Sequence, residues 1–154
     1  ALYTRFGIYT QSELEARAEI MYETYAKVIK IEANTMTHMA GKHYIPAAIH
    51  YTTRLGQSIA AVSGAGLDAE LSVQKSLLVK CSKLLSEADA ALESLKGLLA
   101  EVDVLEDMKE MAWAYHEKVV PAMAALRQPV DELELLVDKD IWPVPTYGDL
   151  MFEV

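Results

Sequence analysis

Apolar residues recur at helical spacing through the first third of the chain. Thr10 and Glu13 have the spacing of a capping box, in which each side chain bonds the other residue's backbone N–H, so a helix is predicted to begin there. The apolar positions that follow, three or four residues apart, are Leu14, Ala18, Met21, Tyr25 and Val28. The pattern predicts a first long helix over residues 12–62.

A wide apolar arc covers the middle of this helix, over residues 25–40. Such an arc is expected to touch neighbours on two sides, which would make this helix central. Glu32 falls inside the arc, and a buried charge needs a partner. Glu32 is therefore predicted to be mostly buried and paired with a lysine, an arginine or a hydrogen-bond donor, in preference to serving as a general acid with a raised pKa.

The same helix carries helix-breaking residues between Gly41 and Pro46. Proline lacks a backbone donor and clashes with the preceding turn, so a kink is predicted near Lys42. The alternative is a true break, which would split this segment in two and give four helices.

The second helix has the most regular pattern. It is predicted over residues 69–101, after a turn at residues 63–68 in which Asp68 is a suitable N-cap. Its heptad seams are Leu71, Leu78, Leu85, Leu92 and Leu99, and Gln74, Cys81, Ala88, Leu95 and Val102. An intramolecular bundle is favoured over an intermolecular coiled coil, because two other long helices can cover these seams.

A third helix is predicted over residues 104–139, with a bend or step at Pro121 and Pro129. No segment alternates between apolar and polar residues as a strand would. The fold is therefore predicted to be all-α, an up-down-up bundle of three long helices in a single domain. The assigned segments are a linker (1–11), the bundle (12–139) and a docking tail (140–154).

The tail differs from the helices in being rich in proline and aromatic residues. Prolines on both sides of Val144 impose extended backbone, while Trp142, Tyr147 and Phe152 supply apolar area for docking. The tail is predicted to be ordered, and non-helical from Trp142 at least through Tyr147. A role as a proline-rich ligand for another protein is the less favoured alternative.

Counting along antiparallel helices predicts that the front of the first helix projects beyond the other two. At about 1.5 Å per residue the second helix ends level with Val28, so residues 12–27 would overhang by roughly 24 Å. Leu14, Met21 and Tyr25 form an apolar stripe there, and such a stripe marks an interaction surface. Something other than the three helices is expected to cover it, unless the front half folds back as a fourth helix.

Composition limits the possible partners. The net charge of −9 argues against nucleic acid and anionic membranes, and no apolar run reaches the roughly 18 residues of a membrane span. The lone Cys81 cannot form an internal disulfide, which indicates a reducing cytoplasm, and its neighbours place it in the core. Since the first residue is Ala1 rather than methionine, the chain is expected to be cut from something longer.

No pattern of residues points to catalysis or to a cofactor. In helical bundles that bind metal pairs, a glutamate precedes each ligand histidine by three residues, and none of the four histidines meets that rule. No catalytic, cofactor-binding or metal-binding residue is therefore assigned. The seven methionines could line an adaptable groove, although core filling is the favoured interpretation. An unrecognised metal or haem bundle stays open as a hypothesis.

Two groups of segments carry a resemblance to a known family. The first comprises Arg5-Phe6-Gly7-Ile8-Tyr9-Thr10-Gln11-Ser12-Glu13-Leu14-Glu15-Ala16-Arg17, Ile31-Glu32-Ala33-Asn34-Thr35-Met36 and Ile45-Pro46-Ala47-Ala48-Ile49-His50-Tyr51. The second comprises Pro121-Ala122-Met123-Ala124-Ala125-Leu126-Arg127, Asp131-Glu132-Leu133-Glu134, Trp142-Pro143-Val144-Pro145-Thr146-Tyr147 and Leu150-Met151-Phe152. Together they resemble the C-terminal domain of the type III glutamine synthetases over nearly the whole chain. The Trp-Pro-x-Pro-Thr-Tyr ending is the most specific element, and Pro129 departs from the family's pattern.

The resemblance implies an excised, non-catalytic domain of an enzyme that makes glutamine from glutamate, ammonia and ATP. That enzyme would use a divalent metal such as magnesium and form a large ring-shaped oligomer, and its catalytic residues would lie upstream of this domain. The implied partners are the catalytic domain of the same polypeptide and neighbouring subunits. The alternative is a free-standing helical adaptor that binds proteins through its tail or a methionine-rich groove.

Overall fold

The computed structural model describes residues 2–66, 68–145 and 147–152, and all regular structure within these ranges is helical. The elements are α1 (Leu2–Arg5), α2 (Gln11–Met39), a π-helical segment (Ala40–Tyr44), α3 (Ile45–Gly64), α4 (Ser72–Val102), α5 (Met108–Ala114), a second π-helical segment (Tyr115–Val119), α6 (Val120–Glu134) and α7 (Tyr147–Phe152). Three long helices result: α2 through α3, α4 alone, and α5 through α6. The prediction of an all-α bundle of three long helices is confirmed.

Two ion pairs show how the three helices run. The Lys30 Nζ atom lies 2.7 Å from Asp103 Oδ1, at the end of α4, and Arg54 Nη1 lies 3.2 Å from Asp138 Oδ2, after α6. Position 30 is therefore beside the connection between the second and third helices, and position 54 is beside the end of the third. The third helix thus runs in the direction of the first, and the second runs against both.

The first long helix begins at the predicted capping box. The Thr10 side chain accepts a hydrogen bond from the Glu13 backbone N–H, and Glu13 Oε2 accepts one from the Thr10 N–H at 2.7 Å. Ahead of it, the residues assigned as a linker include the short helix α1, and the guanidinium of Arg17 lies 4.5 Å from the ring centroid of Tyr9.

The first long helix does not break between Gly41 and Pro46. Both ends of the π-helical segment keep right-handed helical dihedrals, and the Ile45 N–H bonds to the Ala40 carbonyl in the wider turn of a π-helix. Pro46 follows in the first turn of α3, where a missing N–H disturbs the hydrogen-bond ladder least. The distortion predicted near Lys42 is therefore a π-helical turn, and the alternative of four separate helices is wrong.

The third long helix repeats this arrangement. Its π-helical segment ends two residues before Pro121, and the Val120 N–H bonds to the Tyr115 carbonyl. Pro129, where a bend or step was also expected, lies buried inside α6. The distortion of this helix is thus at Pro121 rather than shared between the two prolines.

The core face of the first long helix is made of alanine. Ala26, Ala33, Ala40 and Ala48 are each at most 3% exposed, and their spacing is seven, seven and eight residues. The eight-residue step spans the π-helical segment, whose extra residue keeps these alanines on the buried side of the helix. Small side chains at these positions allow a close approach of the helix axes.

The second helix supplies the large side chains of the core, as its heptads predicted. The buried positions of α4 are Cys81, Leu84, Ala88, Leu92, Leu95, Leu99 and Val102. Leu84 is buried where the heptad count pointed to Leu85, which is half-buried. Burial raises the pKa of the Cys81 thiol, and the interpretation of Cys81 as a core residue is confirmed.

The prediction of a buried Glu32 is wrong. Its side chain is exposed, and no ion pair involves it within the described ranges. The apolar arc was drawn around large side chains such as Val28 and Ile31, which are 46% and 66% exposed. The predicted arc also contained Ala33 and Ala40, and these are the members that are buried. The buried face thus lies at one edge of the arc, and the arc extended too far round the helix.

The front of the first helix projects less far than the count predicted. Asp103 does lie level with Lys30, but the chain then continues past this level before α5 begins. A cleft lies between Ala18 and Tyr22 of α2 and Met108 at the start of α5, so the third helix begins beside this part of the first. The second and third helices nevertheless leave much of the stripe uncovered: Leu14 is half-buried, and Met21 and Tyr25 are 72% and 36% exposed. The fourth-helix alternative is wrong here as well.

A buried tyrosine links the ends of the helices. Tyr115 is 0% exposed, and its hydroxyl donates to Asp103 Oδ1 at 3.3 Å, the same oxygen that Lys30 contacts. Burial, helped by the charge of Asp103, raises the pKa of Tyr115 to about 12. The folded chain therefore favours the neutral phenol of Tyr115 over the phenolate.

Overpacking the alanine face should separate the helices. We expect Ala33→Leu to lower the free energy of unfolding by about 1–3 kcal/mol, because the added atoms have no room against α4. Ala16→Leu, at an exposed position of the same helix, is the matched control and should change it by less than about 0.5 kcal/mol. Urea denaturation followed by circular dichroism measures both, and equal effects would contradict the close approach.

The buried phenol should make stability depend on alkaline pH. The folded chain holds the Tyr115 proton up to a pKa of about 12, whereas the ordinary value is 10.0, so the unfolded chain binds fewer protons between these values. Stability should therefore be fully present below about pH 10 and fall as pH rises towards about 12, by an amount on the order of 2 kcal/mol. Tyr115→Phe should flatten this part of the unfolding profile, whereas Tyr3→Phe, at an exposed position, should leave the slope intact.

Candidate interaction groove

A groove of about 620 Å³ lies between the first and third long helices and the tail. Its apolar lining includes Met36, Met39, Tyr44, Met123, Trp142 and Val144, and its charged lining is Glu32, Arg127, Asp131 and Glu134. We refer to this feature as the groove. It has the volume of a typical ligand-binding pocket and brings together residues from three separate parts of the chain.

The tail forms one wall of the groove through Trp142. The indole is 7% exposed and stacks on the ring of Tyr44, with centroids 5.1 Å apart and planes 12° apart. The indole Nε1 is buried and has no hydrogen-bond partner among the described residues. Apolar contact and ring stacking, rather than an indole hydrogen bond, therefore hold Trp142 in place.

Among its described residues, the tail contacts its own chain at Trp142, which is buried, and at Asp149 of α7, which forms an ion pair with Lys139. The chain is non-helical from Trp142 through Pro145, and α7 begins at Tyr147, so the prediction of non-helical chain through Tyr147 is wrong at that residue. The end of α7 projects into solvent, with Leu150, Met151 and Phe152 exposed by 68%, 71% and 80%. The side chain of Tyr147 lies outside the described residues.

Methionines form the flexible part of the lining. Met36 and Met39 come from α2 and Met123 comes from α6, and all three are half-buried. Methionine is unbranched and polarisable, so a surface rich in it can adapt to different apolar shapes. The methionine-rich groove considered from composition is thus present, although only three of the seven methionines line it.

Carboxylates dominate the charge of the groove. Glu32 stands on α2, while Asp131 and Glu134 stand on α6. Arg127 Nε bonds to Asp131 Oδ2 at 3.0 Å, which leaves the other two carboxylates to set the local charge. Burial first, and then the charges of Glu134 and Asp131, raise the pKa of Tyr44. The electrostatic environment within the groove is therefore negative.

A second surface runs along the outer side of the first helix. Its members are Ile20, Met21, Tyr25, Val28 and Ile31, exposed by 60%, 72%, 36%, 46% and 66%. We call this the apolar stripe. Ile31 also lines the groove, so the two surfaces are continuous. Tyr25 is fixed in place by a 3.2 Å hydrogen bond between its hydroxyl and Nδ1 of His116.

The sequence candidates thus fall on two surfaces. Met21 and Tyr25 belong to the apolar stripe, Trp142 and Glu32 belong to the groove, and Leu14 lies half-buried ahead of both. Sequence reasoning missed Tyr44 and Met123, the partners of Trp142 in the lining. The sequence offered one signal for Tyr44, which is its position two residues before Pro46.

The described part of the chain shows no convergent set for metal chemistry. Within it, no three histidine, cysteine, aspartate or glutamate side chains come together where they could hold a metal ion. Nor is any of its helices long and apolar enough to cross a membrane.

Comparison with known proteins identifies relatives. Residues 1–63 match a family model described as the glutamine synthetase C-terminal domain. A glutamine synthetase of Butyrivibrio fibrisolvens is 32% identical over 157 residues, which cover 99% of this chain and 22% of that protein. A glutamine synthetase of Bacteroides fragilis (strain YCH46) is 29% identical over 94% of this chain and 20% of its own length. A type-3 glutamine synthetase of Dictyostelium discoideum is 28% identical over 98% of this chain and 21% of its own length.

These matches confirm the resemblance inferred from the segments. The chain spans about a fifth of the length of the curated relatives it matches. The region matched by the family model contains the whole of α2 and most of α3, and thus the apolar stripe and one wall of the groove.

The two ends of the tail should differ in their effect on stability. Trp142→Ala removes a buried, stacked indole, so we expect it to lower the free energy of unfolding by about 3 kcal/mol, as for other large aromatic truncations. Phe152→Ala removes an exposed ring of the same tail and should change it by less than about 0.5 kcal/mol. Thermal unfolding of both variants tests this, and a stable Trp142→Ala would contradict docking of the tail.

Proposed function

Since this chain resembles the C-terminal domain of the type III glutamine synthetases, we propose that it is a structural and oligomerisation domain of such an enzyme. The parent would be cytoplasmic and would join ammonia to glutamate at the expense of ATP, with a divalent metal such as magnesium. The relatives carry the name glutamine synthetase and are about five times longer than this chain, which leaves ample length for catalytic domains elsewhere.

The apolar stripe is the observation that carries this proposal. It consists of large apolar side chains on a helix whose opposite, alanine face already fills the core. A contiguous apolar surface of this kind in water is typical of a contact with another protein surface. The stripe lies within the region matched by the family model.

The partners proposed for the stripe are the catalytic domain of the same polypeptide and a neighbouring subunit. Interfaces between permanently associated subunits are apolar and poor in charge, which matches the composition of the stripe. The domain is proposed to act by holding the parent together.

Charge placed on the stripe should disrupt this contact. In the full-length polypeptide, we expect Met21→Lys with Val28→Lys to weaken subunit association at least tenfold, because two ammonium groups would be buried without partners. Analytical ultracentrifugation measures the assembly, and glutamine formation measures its consequence. In the isolated chain the same changes should leave the thermal midpoint nearly unaltered, since both positions face solvent.

The matched control is Val73→Lys with Val79→Lys, two valines of α4 that are 66% and 71% exposed. This pair adds the same charge away from the stripe and should leave assembly and activity unchanged. If the stripe variant assembles like the control, the stripe is not the contact surface. If a polypeptide without this domain still assembles and makes glutamine normally, the structural role itself is wrong.

A further inference from the structure

The groove has unpaired negative charge on both of its helical walls. Glu32 on one wall and Glu134 on the other are exposed, and neither takes part in an ion pair within the described ranges. Among the described lining residues Arg127 is the single cation, and it is engaged by Asp131. Between the walls lie the methionines and the stacked pair of Tyr44 and Trp142.

We propose that the groove binds an amphipathic, basic helix of a separate partner protein. The apolar side of such a helix would enter the lining of Met36, Met39 and Met123, while its lysines or arginines would meet Glu32 and Glu134. Insertion of an amphipathic helix into an apolar groove is a recurrent mode of recognition, and methionines allow the groove to adjust to the inserted side chains. This inference goes beyond the proposed function, since it concerns a partner other than the parent enzyme.

Charge complementarity selects this occupant over a second copy of the chain. The chain has a net charge of −9, so a second copy would bring like charge to a negative rim. The exposed end of α7 offers apolar side chains but has no lysine or arginine at residues 147–154 to meet the two glutamates. A basic segment from a different protein satisfies both the apolar lining and the charge.

A pair of synthetic peptides tests the proposal. The probe is a fluorescein-labelled helix of about 18 residues with leucines at i, i+3, i+4 and i+7 spacing and lysines elsewhere, and the control carries glutamate in place of every lysine. Fluorescence anisotropy should show the lysine peptide binding at least tenfold more tightly than the glutamate peptide. In a Trp113→Phe background, the emission of Trp142 should shift on binding, because this indole lines the groove.

Variants locate the binding site. Glu32→Gln with Glu134→Gln should weaken binding of the lysine peptide at least tenfold, and both residues are exposed, so the fold should be unaffected. The matched control is Asp89→Asn with Glu101→Gln, which removes the same charge from exposed positions of α4 outside the groove lining. Equal weakening by the two pairs would overturn the proposal, because attraction would then come from overall charge. Equal binding of the two peptides would overturn it as well.

The same titration with the full-length polypeptide distinguishes a separate partner from the parent's own residues. Binding to both the chain and the full-length protein supports the proposal, whereas binding to the chain alone overturns it, because the parent would then cover the groove. This test uses no variant of Met21 or Val28, so its failure leaves the proposed function intact. Conversely, if the stripe variants assemble normally, the peptide-binding result for the groove still holds.

Discussion

The close approach of an alanine face to a leucine-rich helix is the contact on which this bundle depends. Ala26, Ala33, Ala40 and Ala48 present little beyond their backbone, so the large side chains of α4 fill the space between the helices. This arrangement inverts the usual expectation that the largest apolar residues of a helix are its buried ones. It also frees the apolar side chains on the other side of the first helix for contacts outside the bundle.

A π-helical segment interrupts each of two long helices. Each segment ends two residues before a proline, which cannot donate in the normal hydrogen-bond ladder, and each adds one residue to the turn. In the first helix that residue accounts for the eight-residue step in the alanine face. Tyr44, at the end of the first segment, then stacks on Trp142, so the same distortion contributes to the groove.

The groove and the apolar stripe suit different kinds of contact. The stripe consists of large apolar side chains and suits a surface that is covered permanently. The groove has exposed carboxylates beside adaptable methionines, and this composition suits a charged segment that binds reversibly. The two surfaces meet at Ile31, so the two proposals concern neighbouring parts of a single helix.

Periodicity by itself determined the type and order of the long helices, because heptads, caps and prolines act locally. It left open whether the first helix splits at Gly41–Pro46, and the structure shows that it does not. The resemblance of the chain to glutamine synthetases was likewise readable from short segments such as the Trp-Pro-x-Pro-Thr-Tyr ending. Tertiary structure alone decided which face of the first helix is buried. A helical wheel shows where apolar side chains lie, but it contains no information on the large side chains of α4, which pack against small ones. It also decided that Glu32 is exposed and that Tyr44, Met123 and Trp142 share one groove, because residues so far apart in the chain meet only when the helices pack.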